Sequence, residues 1–230
     1  MARSAEAAGR GSRPAPRARR RRMPRADREE QMLAAATRIF ARRGYQDASM
    51  DEIAAACGIT KPMLYSYFDS KEGLFLACLD KGDERLRAAV RDAVEGATGA
   101  EQRLWRGLVA LFRFFEDDRD MWALGYRAGP GAPSFAAAAA RSRQAMVELL
   151  TEVFVDTAVR SGVDREAARE SEPLAHALTG AAAALVNWAG DRPDEPSELH
   201  ALRLMNFAWM GLGNLVRGEL WLPPTEEEQK

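Results

Sequence analysis

An all-α fold follows from three features of these 230 residues. Alanine, leucine and arginine abound while isoleucine, valine and threonine are sparse, a composition that favours helix over strand. Apolar residues recur at helical spacing in run after run, and no strand of any length and no internal repeat can be found. Capping residues, glycines and prolines punctuate those runs where helices should begin and end. The hydrophobic content of 47% is that of a folded globule, and the length suits one large domain or two modest ones.

Residues 1–25 carry nine arginines and one glutamate, a local charge of +8 in a chain whose net charge is −1. They lack hydrophobic periodicity and read as a disordered arm, suited to phosphate contact or to reaching into a minor groove. Met23 offers a second start, which would leave residues 1–22 untranslated. A basic arm on a mildly acidic body is the asymmetry expected when one end meets nucleic acid. The first helix is expected over 27–43, with Asp27 and Glu30 as a capping pair and Leu33, Ala36 and Phe40 on one face. Gly44 should end it.

The next stretch is the most informative. Ser49 and Glu52 make a capping box for a helix starting at Met50. Ile53 faces a core, and small Ala54 permits a close helix crossing. Gly58 stands where the chain must turn sharply, with a positive φ that glycine adopts at little cost. Thr60 can cap a second short helix, and Pro62 falls in its first turn, where a missing N–H does no harm. Leu64 points back at Ile53 and Ala54. This is the spacing of a helix-turn-helix, whose second helix, over residues 60–67, is held rigidly at the surface to read DNA. Ser70 then caps a long helix over 71–94, with Leu74, Phe75, Cys78, Leu79, Leu86 and Val90 inward.

Beyond Gly99 the helical pattern continues: 101–116, a short segment 120–127 before the breaker GPGAP, then 134–160, 165–189 (irregular near Pro173) and 197–217. Residues 191–196 form a polar turn. The acidic end, 223–230, should fray.

With its flanks, the helix-turn-helix resembles the N-terminal domain of the tetracycline-repressor (TetR) family of bacterial transcription regulators. The matching runs are AAATRIFARRGY (34–45), SMDEIAAACGI (49–59) and LYSYFDSKEGLF (64–75). One departure is Tyr67, where the family often has histidine. The resemblance implies a helix-turn-helix domain over 26–80, then an effector-binding and dimerisation domain over 81–222. It implies a homodimer on a palindromic operator in double-stranded DNA, a repressor released by a small-molecule effector.

Candidate DNA contacts are Ser49, Thr60, Lys61, Pro62, Tyr65, Tyr67 and Lys71. Lys61 in the first turn can reach guanine or phosphate, and the tyrosines offer hydroxyls to phosphate and rings to thymine methyls. Lys71 with the N-terminus of its helix makes an anion site. All five tryptophans lie beyond this region. An aromatic, sulfur-bearing interior suits a lipophilic effector, and the candidate lining is Trp105, Phe112, Phe115, Trp122, Tyr126, Arg127, Met146, Phe154 and Asn187. Leu178, Ala182, Leu185, Leu202, Met205, Trp209, Leu212 and Val216 form stripes suited to a dimer seam built as a four-helix bundle.

Other classes find no support. Two histidines and two cysteines stand at no metal-ligand or HExxH spacing, and no nucleophile elbow or phosphate loop follows a strand, so neither an enzyme nor a cofactor is expected. No segment reaches ~18 uninterrupted apolar residues, which speaks against a membrane span. Cys57 and Cys78 fall on core-facing positions, which fits a cytoplasmic, reducing setting. The rival reading is an architectural protein that binds DNA through the arginine arm with little sequence preference.

Overall fold

A computed structural model of the chain describes residues 24–126, 133–160 and 162–216, apart from the side chains of residues 126, 167 and 211–216. The arm up to residue 23, Arg127, Trp221, the acidic tail and the side chains of Tyr126, Leu212 and Val216 therefore lie outside the described residues. Ten α-helices are found among those described, and no strand.

Helix α1, Arg25–Asp47, begins earlier than its sequence signals suggest. Pro24 stands at the N-cap without a side-chain bond, and Asp27 lies within the first turn, where its charge suits the helix dipole. Arg25, counted with the arm, is therefore helical. Gly44 kinks α1 at φ +76°, a conformation that favours glycine, and the turn swings Tyr45 back over Phe40, ring centroids 6.1 Å apart.

Helix α2, Met50–Ala56, starts as anticipated at Ser49, whose Oγ accepts from the Asp51 N–H at 3.2 Å. Glu52 turns instead toward Arg43, 3.8 Å away. Gly58, at φ +65°, makes the turn, and the Ile59 N–H returns to the Ala54 carbonyl at 3.0 Å. Helix α3, Lys61–Phe68, is capped through the Thr60 carbonyl, which accepts from Met63 and Leu64 at 3.0 and 3.1 Å. The Thr60 side chain makes no cap bond. Pro62 explains this: it removes one of the two N–H groups a capping hydroxyl would take.

Ser70 caps helix α4, Lys71–Val94, accepting from Gly73 N–H at 2.9 Å. At 1.5 Å per residue this helix is about 36 Å long and runs from one core to the other. Its first half closes the head core, where Met32, Ala36, Ile39, Phe40, Ile53, Leu64, Leu74 and Phe75 are fully or almost fully buried. Its second half, with Leu86 and Val90, joins the body.

The body is formed by α5 (Ala100–Asp117), α6 (Arg119–Tyr126), α7 (Pro133–Arg160), the short α8 (Arg165–Ala168), α9 (Glu172–Gly190) and α10 (Ser197–Val216). A 3-10 turn, Arg169–Ser171, accounts for the irregularity before Pro173. Helix α6 contributes to both halves. Met121 and Leu124 belong to the head core, whereas Trp122 belongs to the body core and lies so close that a Cβ on Gly190 would fall 1.9 Å from its ring. Arg103, nearly buried, pairs with Asp156 at 2.7 Å, and Glu116 accepts from the Ser197 hydroxyl at 2.6 Å.

Candidate nucleic-acid interface and effector chamber

The outer face of the α2–α3 pair gathers Ser49, Thr60, Lys61, Pro62 and Tyr65, all exposed. The buried side of α3 rests on Leu64 and Phe68, which fixes the angle at which this face is offered. The Lys61 ammonium pairs with Asp51 at 2.8 Å, and that hydrogen bond raises its pKa. Both groups are exposed, so the bond serves chiefly to orient the ammonium. Tyr67 is half-buried beside Phe68 rather than fully presented, with the Arg25 guanidinium 4.9 Å from its ring centroid. Arg25, which the sequence reading counted with the arm, thus stands beside α3. Lys71 is also half-buried: its Nζ donates to the Gln46 carbonyl at 2.9 Å and lies 4.8 Å from the Tyr45 ring centroid.

The second feature is a cavity of about 830 Å³ lined chiefly by α4, α5, α7 and α9. Its wall on α4 runs from Phe75 through Leu79, Asp83, Leu86 and Val90 to Val94, one helix face about 28 Å long. Of the candidate lining residues, Phe115, Met146 and Phe154 do face it. Phe112 and Trp122 are buried instead in the close-packed core beside α9 and α10. Trp105 lines a separate open groove between α4 and α5, and Asn187 is exposed. The reason is geometric: α5 and α9 have apolar residues on more than one side, and helical spacing alone does not say which side borders the void.

Asp83 is the acid missed by sequence reasoning. It interrupts the otherwise apolar stripe Leu79–Leu86–Val90, a detectable signal. Burial raises its carboxyl pKa, and a hydrogen bond with Ser142 together with the nearby Arg87 partly opposes that.

Chamber and head share a wall. Phe75 and Phe135 line the cavity and belong to the head core, their ring centroids 4.8 Å apart. Tyr45 packs edge-on against both, at 5.2 and 5.1 Å. A contiguous aromatic path therefore leads from the cavity to the ring beneath the Lys71 ammonium.

The residues assigned to a dimer seam divide. Leu178, Ala182 and Met205 are buried within the subunit, Leu185 packs on the same core, and Trp209 lines the chamber. They face inward because α9 and α10 close the body with that side. Leu202 does face out, 48% exposed, and the outward stripe continues through Phe207 and Met210, each 75% exposed. Ala177, Gly180 and Ala184 form a small-residue track along the exposed side of α9.

Residues 32–78 match the model of bacterial regulatory proteins of the tetR family, and residues 100–211 match a tetracyclin repressor-like C-terminal domain. The chain is 35% identical over 200 residues to the HTH-type transcriptional activator FasR of Mycolicibacterium smegmatis, covering 84% of this chain and 87% of that one. A TetR-like transcriptional regulator from Rhodococcus sp. RHA1 superimposes with a TM-score of 0.65 at 32% identity, over 84% of this chain and 99% of that one. FadR from Bacillus subtilis, solved in complex with stearoyl-CoA, has the same TM-score at 13% identity, over 78% and 96% of the two chains, a likeness of fold alone.

Proposed function

The chain belongs to the tetR family of bacterial transcription regulators, and from that premise we propose a homodimer whose hold on a palindromic operator is released when a lipophilic effector fills the chamber. The observation that carries this reading is the shared wall. An effector filling the cavity must press on Phe75 and Phe135, whose other faces belong to the head core. A close-packed core responds to such pressure by moving, and Tyr45 transmits the movement to Lys71. The effector then shifts affinity by its differential preference for the two head positions.

In the operator-bound state Lys61 reaches a base edge or phosphate, Ser49, Thr60 and Tyr65 hold neighbouring phosphates, and Lys71 with the start of α4 holds another. Pro62 and Tyr67 brace α3, and the arginine arm adds affinity without sequence preference. The dimer closes over Leu202, Phe207 and Met210 together with the small-residue track of α9, since an apolar stripe this exposed calls for a partner.

The shape of the chamber favours one extended aliphatic chain. Its α4 wall runs for about 28 Å along a mostly apolar lining, long enough to take an octadecanoyl chain laid out in full. The stearoyl chain carried by FadR, which shares the fold, is in keeping with that shape.

We read the regulator as a repressor. The match to FasR, named as an activator, favours a second reading in which the same release switches transcription off rather than on.

The test is to capture fragments of the organism's genomic DNA at about physiological salt, then add octadecanoyl-chain probes. A few sharp sites sharing a palindrome, released by the probes, are the expected result. Lys61→Ala should weaken binding to those sites at least tenfold, as loss of one good contact does, with an unchanged melting midpoint. Diffuse capture everywhere would overturn the reading in favour of an architectural protein. A reporter placed behind a captured site then gives the sign of regulation.

A further inference from the structure

Apolar side chains dominate the cavity wall, and most polar groups on it are either exposed to solvent, as Arg143 and Glu170 are, or satisfied within the protein. Arg103 is held by Asp156 at 2.7 Å. The Thr179 hydroxyl donates to the Ala175 carbonyl at 2.7 Å, and the Ser171 hydroxyl to the Ala168 carbonyl at the same distance. Asp83 differs. Its carboxyl borders the void with Ser142 of α7 and Arg87 as its polar neighbours; the serine has a single proton to give, whereas a carboxylate offers about four acceptor sites. A donor entering the void meets this carboxyl.

The position of Asp83 matters as much as its chemistry. It stands eight residues from Phe75 and eleven from Val94 along α4, so it meets a bound chain about 12 Å from the head end and about 16 Å from the far end. An extended effector has to pass it. On the lipophilic-effector reading above, we propose that Asp83 is the specificity-determining residue of the chamber, selecting an aliphatic chain that bears a hydrogen-bond donor, a hydroxyl, partway along its length.

The physical reason is the asymmetry of buried polar groups. A plain methylene run strips water from the carboxylate and returns nothing, whereas a hydroxyl at that depth replaces the lost bond. A site built to bond a polar group rejects the analogue lacking it more strongly than an apolar pocket rejects an added group.

The experiment titrates the full-length protein calorimetrically with octadecanoic acid and with its 10- and 12-hydroxy derivatives. All three carry the same terminal carboxylate, so its repulsion from Asp83 largely cancels in the ratio. Wild type should bind one hydroxylated probe at least tenfold more tightly than the plain acid. Asp83→Leu should abolish or invert that preference while retaining the plain acid. Asp83→Ala provides the same comparison if the leucine crowds the helix. Equal discrimination in wild type and variant, or none in wild type, overturns the assignment of Asp83 and leaves the lipophilic-effector reading standing. Failure of all three probes to bind wild type removes both.

Discussion

The head and the body are made from the same materials to opposite ends. Around α1–α3 the core is solid: Ile53, Leu64 and Phe40 have no exposed surface, and the rings of Phe40, Tyr45, Phe75 and Phe135 interlock edge to face. Around α4, α5, α7 and α9 the helices stand apart and leave a void of about 830 Å³. A reading head must hold α3 at one angle, and close packing is what holds it. A chamber has to forgo part of that packing to admit a guest. The lesson is that apolar burial is used for rigidity in one half and for capacity in the other, and that α4 and α6 belong to both.

Matched truncations break the comparison most directly. Leu64→Ala, which empties a site with no slack, should destabilise the protein by about 3 kcal/mol, a fall of roughly 10 °C in melting midpoint. Leu86→Ala removes a side chain that already borders the cavity, where fewer neighbours are lost, and should cost about 1–2 kcal/mol. Equal losses in thermal unfolding would mean that the body core is as tightly filled as the head.

Two glycines sharpen the contrast at a smaller scale. A Cβ at Gly190 would fall 1.9 Å from the Trp122 indole, and one at Gly82 the same distance from the Met121 methyl. The indole is rigid and buried, so Gly190→Ala should overpack and cost about 1–3 kcal/mol. Met121 is flexible and lines the chamber, so in Gly82→Ala it can swing into the void at a cost below about 1 kcal/mol. Gly82→Ala should therefore melt almost normally yet bind long-chain probes less tightly, because the moved thioether takes up chamber volume. A melting loss as large as that of Gly190→Ala would show that the void is not available to it.

The same difference decided what could be read from the sequence. In the head, Ser49, Gly58, Pro62 and Ser70 are local devices whose action depends on a few neighbouring residues, so helix starts and turns were legible almost residue by residue. Even there, the Thr60 side-chain cap failed because Pro62 withheld a donor. The first helix began two residues early because Pro24 could serve at its N-cap. In the body, an aromatic at helical spacing obeys one rule whether it packs against a neighbour or faces a void. Phe115 and Phe154 border the chamber, Trp105 and Asn187 lie away from it, and Leu178 and Met205 turn toward the subunit's own core. Asp83 could have been noticed as the acid in an apolar stripe. Phe135 could not, because its role depends on the meeting of α7 with the head.

The two cysteines give the smallest effect and the finest measure of where solid core gives way to chamber. Cys78 lies on α4 beside the cavity-lining Leu79, with its thiol pushed up to about 12 by burial. At pH 8 such a thiol is almost wholly protonated and so unreactive. Burial also raises the Cys57 thiol, with Arg38 partly opposing the shift, and Cys57 caps the short α2. Alkylation of native protein at pH 8 should thus be slow at both, faster at Cys57, and complete only after unfolding. A long-chain probe in the chamber should slow Cys78 further and leave Cys57 unchanged, because filling the void opposes openings of α4 without touching the α2 end. If both slow together, the head and body open as one unit, and the boundary drawn through α4 is mechanical fiction. If Cys78 reacts as fast as a free thiol, the chamber reaches the head core directly, and the shared wall of Phe75 and Phe135 is no barrier.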